Sequence, residues 1–200
     1  GRSCDPFAEP AHITLDEAFK AHAGIRLLDQ AFLDGRTDRD GFARAAAAAG
    51  VKLARDDSWS DIFTRILVER IEPMLCPAGN SAMPAVILYG YPIPEAALAR
   101  PDSHDPRIAE RFELYACGVE LANGFGELTD PAEQCRRFVT DMDDKERIYG
   151  ERYPIDEDFL AAIERMPPAC GCALGFERLV MLAAGAQHID DVIWTPMARD

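Results

Sequence analysis

Apolar positions along this chain change their period part-way through. Up to Ile71 they recur at helical spacing; from Pro84 onward they come in short runs divided by proline, glycine and acidic residues. Thr14-Leu15-Asp16-Glu17 has the arrangement of a capping box and predicts a short helix starting there. Thr37 followed by FARAAAAAG predicts a second helix stopped by Gly50, its alanine run supplying helix propensity rather than a functional repeat. In SWSDIFTRILVERI the apolar residues Ile62, Ile66, Leu67, Val68 and Ile71 mark a third helix packed on a core, which Pro73 and Pro77 are expected to end.

The second regime reads as strands with helices between them. PAVILYG, from Pro84, predicts a buried strand closed by Gly90 and Pro92, and the proline-rich residues 91–106 read as a long loop of the kind that often carries function. RFELYACGVELANG predicts a strand pair. Asp130-Pro131-Ala132-Glu133 then offers an N-cap, a proline at the first helical position and a capping glutamate, for a helix running to about Tyr149. A short helix from about Asp156 to Arg165 follows, then CGCALG as a small-residue strand feeding the helix FERLVMLAAG, and DVIW as a last short strand. Helices segregated from hairpin-joined strands predict an α+β fold with a mainly antiparallel sheet. With no internal repeat and no dividing linker, residues 1–200 read as a single domain, helical over 14–72 and sheet-forming over 84–200.

Composition narrows the class. At 48% hydrophobic and 28% charged, 200 residues suffice for one substantial core. A net charge of −14 opposes a protein whose business is wrapping nucleic acid by counterion release, although a local basic patch is compatible with it. No apolar run reaches the ~20 residues that span a bilayer, and the N-terminus lacks the basic-then-apolar order of a signal peptide, so a cytoplasmic protein without a membrane partner is expected. The start at Gly1 rather than Met reads as a cleavage scar or the beginning of an excised piece. Cys4, Cys76, Cys117, Cys135, Cys170 and Cys172 read as reduced thiols, since Cys170-Gly171-Cys172 is C-x-C with no histidine at finger spacing. His12, His22, His104 and His188 are scattered, which argues against a histidine-centred site.

The chemistry concentrates in ELYACGVELANGFGE, residues 113–127. If Cys117-Gly118 is a two-residue turn, Ala116 faces Val119, Tyr115 faces Glu120 and Glu113 faces Ala122. Glu113, Tyr115 and Glu120 then share a face, with the two glutamates as diagonal neighbours about 7 to 8 Å apart. That separation suits Mg²⁺, which takes one or two carboxylates and fills its remaining positions with phosphate oxygens and water. Two strand glutamates facing only water give the same pattern. Asn123-Gly124-Phe125-Gly126-Glu127 ends the strand in permissive backbone that either turns a polar side chain and a third carboxylate toward a ligand or forms a solvated turn. Residues 171–178, GCALGFER, leave one strand face bare for a flat ligand that an arginine on the next helix can cover; close strand-to-helix packing explains the small residues equally well. The spacing matches neither a dinucleotide-binding nor a P-loop pattern.

GVELANGFGELTDPAEQCRRF followed by GCALGFERLVMLAAG closely resembles the C-terminal half of the catalytic domain of class II lysyl-tRNA synthetases, above all the GenX/PoxA family of elongation factor P beta-lysine ligases. The resemblance runs from about Leu15 to Ala198 and is strongest over 111–134 and 171–185. It implies a class II aminoacyl-tRNA synthetase-like fold, usually dimeric in the complete protein, and a reaction in which lysine or beta-lysine plus ATP gives an aminoacyl-adenylate whose acyl group passes to an acceptor. By the same resemblance Glu113 and Glu120 hold Mg²⁺ on the ATP phosphates, and Gly175 and Arg178 belong to the nucleotide site, with Arg178 the residue expected to act in catalysis. Asn123 and Ala173 meet the amino acid, and Glu127 pairs with its side-chain ammonium, whose burial requires a charged partner.

Ala173, where lysyl-tRNA synthetases usually carry glycine, matches the GenX/PoxA family; its methyl would crowd an α-amino group and favour the β-amino isomer. Ala96-Ala97 replaces a frequent Ser-Pro, and Glu177 a frequent aspartate. Nothing in the chain matches the first or second class II motif, the second of which supplies positive charge at the reacting centre. The expectation is therefore a partial catalytic domain, deficient by itself, from a ligase acting on elongation factor P. The alternatives are part of a true lysyl-tRNA synthetase, with lysine tRNA as acceptor, or a synthetase-like ligand-binding module without chemistry.

Overall fold

The computed structural model describes residues 4–33, 36–75 and 84–196. Its helical layer is set by side-chain caps. Thr14 and Glu17 form the expected reciprocal capping box at the start of α1 (Leu15–Ala23), and Ser58 forms a second one with Asp61 at α3 (Trp59–Ile66). The cap of α2 (Arg39–Ala48) is Asp38, not Thr37: its carboxylate accepts from the Gly41 N–H, while Thr37 forms an isolated bridge with Ala31. Phe19, Phe42, Trp59 and Phe63 pack ring against ring and reach Tyr91 on the sheet.

Pro73 does not end the third helix. After α3 the chain makes a π-helical turn, Leu67–Ile71, and re-enters α-helix as α4 (Glu72–Leu75) with Pro73 inside it. The Glu72 N–H donates to the Leu67 carbonyl, and this wider turn opens the backbone preceding the proline ring. Pro77 lies outside the described residues.

One sheet of five strands runs in sequence order: β1 (Ala11–Thr14), β2 (Val86–Pro92), β3 (Ile108–Ala116), β4 (Val119–Gly126) and β5 (Cys170–Leu174). The first pair is parallel and the rest antiparallel, so the expected mainly antiparallel α+β architecture holds. β1 was not expected from the sequence; AHIT is too short to show a period. The strand expected to close at Gly90 continues to Pro92, because Gly90, at φ 74°, accommodates a register shift between Tyr89 and Tyr91. The expected loop over 91–106 is partly ordered by bridges from Ala99 to Glu127 and from Pro101 to Ala109.

Asp130 caps α5 (Pro131–Tyr149), accepting from the Ala132 and Glu133 amides. Glu133 does not turn back to the cap as expected; Arg136 and Arg137 take its carboxylate. α6 (Glu157–Ile163) and α7 (Phe176–Ala184) follow as expected, but DVIW is not a strand: Ile189–Asp191 is a 3-10 turn, and the residues after it form bends that pair with nothing in the sheet.

Val86 and Leu88 are buried in the core shared with α1 and α3, and their partners across the ladder are Tyr115 and Glu113. That face of the sheet therefore looks into the helical layer over β2 and β3, while Gly171 and Ala173 on β5 remain accessible. The candidate site lies where this cover stops.

Candidate functional site

The hairpin turn is the one expected. Cys117 and Gly118 both have positive φ, 54° and 73°, the two-residue form whose twist matches the strands it joins. Ala116 pairs with Val119 and Tyr115 with Glu120. Beyond that the register departs from expectation: Leu114 pairs with Ala122, and Glu113 with Asn123 instead of Ala122. The extra residue is Leu121, a bulge whose carbonyl accepts from the Gly175 N–H at 2.8 Å. An unbulged hairpin would put Asn123 on the opposite face from Glu113. The bulge sets the two directly across from each other.

Glu113 is 7% exposed. Arg111 donates to its Oε1 at 2.6 Å and the Tyr115 hydroxyl to its Oε2 at 2.7 Å, so a buried carboxylate is held at both oxygens. Arg111 is itself fixed, its guanidinium 4.1 Å from the Tyr91 ring centroid and bonded to the Glu95 carbonyl. Glu120 is held from the other side: Arg178 Nη1 donates to its Oε2 at 3.0 Å and to its backbone carbonyl at 2.9 Å. Glu72, at the start of α4, brings a third carboxylate, with Oε1 3.3 Å from the Tyr115 hydroxyl. Burial pushes the Glu72 carboxyl above the ordinary carboxylate range; the Tyr115 contact opposes this, and the charges of Glu113 and Glu120 add to it. Burial, followed by the Glu113 charge, likewise raises the Tyr115 phenol.

The other end of the face has a different character. Asn123 pairs with Ala173 across the β4–β5 ladder, and its Oδ1 is buried with no hydrogen-bond partner. Such an atom is expensive to leave unsatisfied and calls for a donor. Glu127, just past β4, lays its carboxylate over β5: a Cβ at Gly171 would stand 2.7 Å from Glu127 Oε1, so a side chain there would push the carboxylate aside. Phe125 lies between Asn123 and Glu127 on the same face, opposite Gly171. At the entry to α7, a Cβ at Gly175 would stand 3.2 Å from Arg178 Cδ, so a side chain there would press on the arginine.

The structure thus brings all seven expected residues to one sheet face and the start of the helix after it. Among the described residues no three His, Cys, Asp or Glu side chains are grouped to hold a metal ion by themselves. Glu113 and Glu120 share this face, and carboxylate oxygens are the kind of donor a hard cation takes when phosphate and water fill its other positions. A cavity of about 940 Å³ elsewhere is lined by Arg39, Asp57, Trp59, Arg136 and Arg137 among others, and by none of the seven.

Residues 11–199 match the family described as tRNA synthetases class II (D, K and N). The chain belongs to that family. Its curated relatives include the elongation factor P–(R)-beta-lysine ligase of Hamiltonella defensa subsp. Acyrthosiphon pisum, 36% identical over 188 residues, 94% of this chain and 50% of the relative. The ligase of the same name from Vibrio cholerae serotype O1 is 37% identical over 190 residues, 94% of this chain and 55% of the relative. A lysine–tRNA ligase of Pelotomaculum thermopropionicum is 35% identical over 193 residues, 94% of this chain and 35% of the relative. This class II synthetase chain spans about half the length of the two elongation factor P ligases, and less of the tRNA ligase. No helix among its described residues is long and apolar enough to cross a membrane.

Sequence reasoning missed Arg111 and Glu72. Arg111 was within reach, because strand residues two apart share a face and Glu113 is two positions on. Glu72 was not: it belongs to a helix and meets the hairpin only through the tertiary fold.

Proposed function

We propose that this chain is the cation-, nucleotide- and amino-acid-binding part of an ATP-dependent, adenylate-forming ligase that attaches (R)-beta-lysine or lysine to elongation factor P. The observation that carries this reading is the pairing of two unlike subsites on one face: held carboxylates at Glu113 and Glu120, and, along β5, the orphaned Asn123 Oδ1 opposite Ala173 with the Glu127 carboxylate over Gly171. The first suits the Mg²⁺ of a nucleotide, the second an amino acid with a cationic side chain.

Bound with its cation, ATP would supply the α-phosphate to which the amino-acid carboxylate is joined as the bond to the β-phosphate breaks and pyrophosphate leaves. The chain's own residues orient and neutralise. Glu113 and Glu120 hold the cation. Gly175 leaves room for Arg178, which exchanges Glu120 for the nucleotide. Asn123 accepts from the substrate amine, and Glu127 neutralises the side-chain ammonium, with Phe125 as an apolar wall for the methylene stem. Ala173, opposite Asn123, puts a methyl where an α-amino group would sit and so favours the β-amino isomer. The lysine–tRNA ligase relative keeps tRNA in view as an alternative acceptor.

The same reading makes residues 1–200 the C-terminal portion of a larger cytoplasmic catalytic core that works as a homodimer. β5 is an edge of the sheet, and Leu174, Phe176 and Leu179 beside it are exposed apolar residues, a surface suited to cover by the rest of that core. Amino-acid-dependent ATP/pyrophosphate exchange by the full-length protein tests the assignment, with (R)-beta-lysine as the expected best substrate.

A further inference from the structure

The loop that follows β2 touches both subsites, and its shape is set by α5. Gln134 and Arg137, three positions apart and so on one side of that helix, are its two buried residues, at 1% and 7% exposure. Arg137 Nη1 donates to the carbonyls of Ala96 and Ala99, each at 2.9 Å, and at 3.4 Å to that of Ala97. Gln134 Nε2 donates to the Ala97 carbonyl at 3.1 Å. Glu133 holds the guanidinium from its other side, accepting from Nε at 2.8 Å. Because the clamp takes main-chain carbonyls, Ala96 and Ala97 serve it with no polar side chains of their own. A buried charge of this kind, with Nη2 left unpartnered, often stabilises less than an apolar side chain of the same volume would. What the guanidinium adds is direction, with neighbouring carbonyls fixed on one nitrogen.

On either side of the clamped carbonyls the loop reaches a different subsite. One residue before them, the Glu95 carbonyl accepts from Arg111, whose Nη2 donates to Glu113 Oε1 at 2.6 Å. Toward its other end, the Leu98 carbonyl accepts from the Leu128 N–H at 3.0 Å, Ala99 bridges Glu127, and the Arg100 N–H donates to the Gly126 carbonyl at 2.7 Å. The first path ends on the Glu113 carboxylate. The second ends on the backbone that carries Glu127.

We propose that Arg137 is a positioning residue for both subsites, holding residues 95–100 in the shape that orients Glu113 through Arg111 and Glu127 through its backbone. This rests on the reading of Glu113 and Glu127 as ligand-binding carboxylates. Arg137 acts through the loop and need not touch either ligand.

The test compares the full-length wild type with Arg137→Met, Arg137→Lys, Arg111→Met, the Arg137→Met/Arg111→Met pair, Glu113→Gln and Glu127→Gln, at a temperature well below their unfolding midpoints. Calorimetric titration gives the affinities for (R)-beta-lysine and for the Mn²⁺ complex of a non-hydrolysable ATP analogue, and thermal unfolding is followed alongside. Arg137→Met keeps the stem and loses the donors, and is expected to weaken both ligands by about tenfold, within the range of coupling carried by residues that contact neither ligand. Arg137→Lys, which returns one cationic donor, should recover part of both losses. In the Arg111→Met background, Arg137→Met should no longer affect the nucleotide complex but should still weaken (R)-beta-lysine. Should Arg137→Met fail to fold, Gln134→Met, which removes a single contact to the Ala97 carbonyl, carries the same comparison with smaller expected losses. A lowered unfolding midpoint with both affinities unchanged, while Glu113→Gln and Glu127→Gln each weaken their own ligand, would overturn the proposal and leave the two subsites standing. So would a loss confined to one ligand, or a nucleotide effect that survives undiminished beside Arg111→Met. Affinities that neither Glu113→Gln nor Glu127→Gln changes would overturn both the proposal and the reading of the two carboxylates.

Discussion

On the proposed reading Glu127 and Arg178 carry separable duties, and single substitutions should separate them. Glu127→Gln keeps the shape and removes the charge that a lysine-type ammonium needs, so it should weaken (R)-beta-lysine by about 10- to 100-fold and ATP little. Arg178→Ala should do the reverse. Calorimetric titration with each ligand decides the point, and equal losses of both ligands in either variant would contradict the assignment. On the proposed reading Ala173 carries the finer choice between isomers. Ala173→Gly removes one methyl facing Asn123 and should move the preference toward α-lysine by about tenfold, read as a ratio of the two affinities; an unchanged ratio would remove Ala173 from the account. At this scale the sequence singled out residues that the fold brings together, and was less informative about how they meet. VELANG carries no mark of a bulge at Leu121, because the local pattern of side chains is the same with or without it. Asn123 was therefore expected near the site but paired one position off.

Among the elements, those specified by local chemistry were the ones legible in the sequence. Thr14 with Glu17, Asp130 with Pro131 and the Cys117-Gly118 turn all do in the structure what their neighbours dictate. Elements set by distant contacts were not legible: β1 exists because Ala11–Thr14 lies beside β2, and the π turn depends on core packing around Ile71. The Ser58 cap gives a pH prediction. The Ser58 hydroxyl, and then its backbone N–H, hold the Asp61 carboxyl below the ordinary carboxylate range, with Arg65 adding a smaller push the same way. A depressed folded-state value stabilises the fold above the unfolded value of about 3.9, and that contribution is lost as pH falls through the depressed one. Asp61→Ala should therefore lower the unfolding midpoint at pH 7, and the gap from wild type should close as pH drops below about 4. A gap that is constant with pH would show that the carboxylate charge is not what the cap uses.

For the whole molecule, the family assignment rests on a match over residues 11–199, and the proposed site would set the chain's chemistry within it. That family covers aspartate, lysine and asparagine enzymes, and on the proposed reading the Glu127 carboxylate would select the cationic substrate among the three. The overall class was legible because the two densest motifs, around the hairpin and around β5, contain the candidate site. What remained hidden was the helical layer's contribution, since Glu72 reaches Tyr115 across 43 positions of sequence. The central claim is best tested by amino-acid-dependent ATP/pyrophosphate exchange in the full-length protein, with (R)-beta-lysine, α-lysine, aspartate and asparagine compared side by side. The account predicts exchange driven by (R)-beta-lysine, weaker exchange with α-lysine and none above background with the other two; exchange driven by aspartate or asparagine would contradict it.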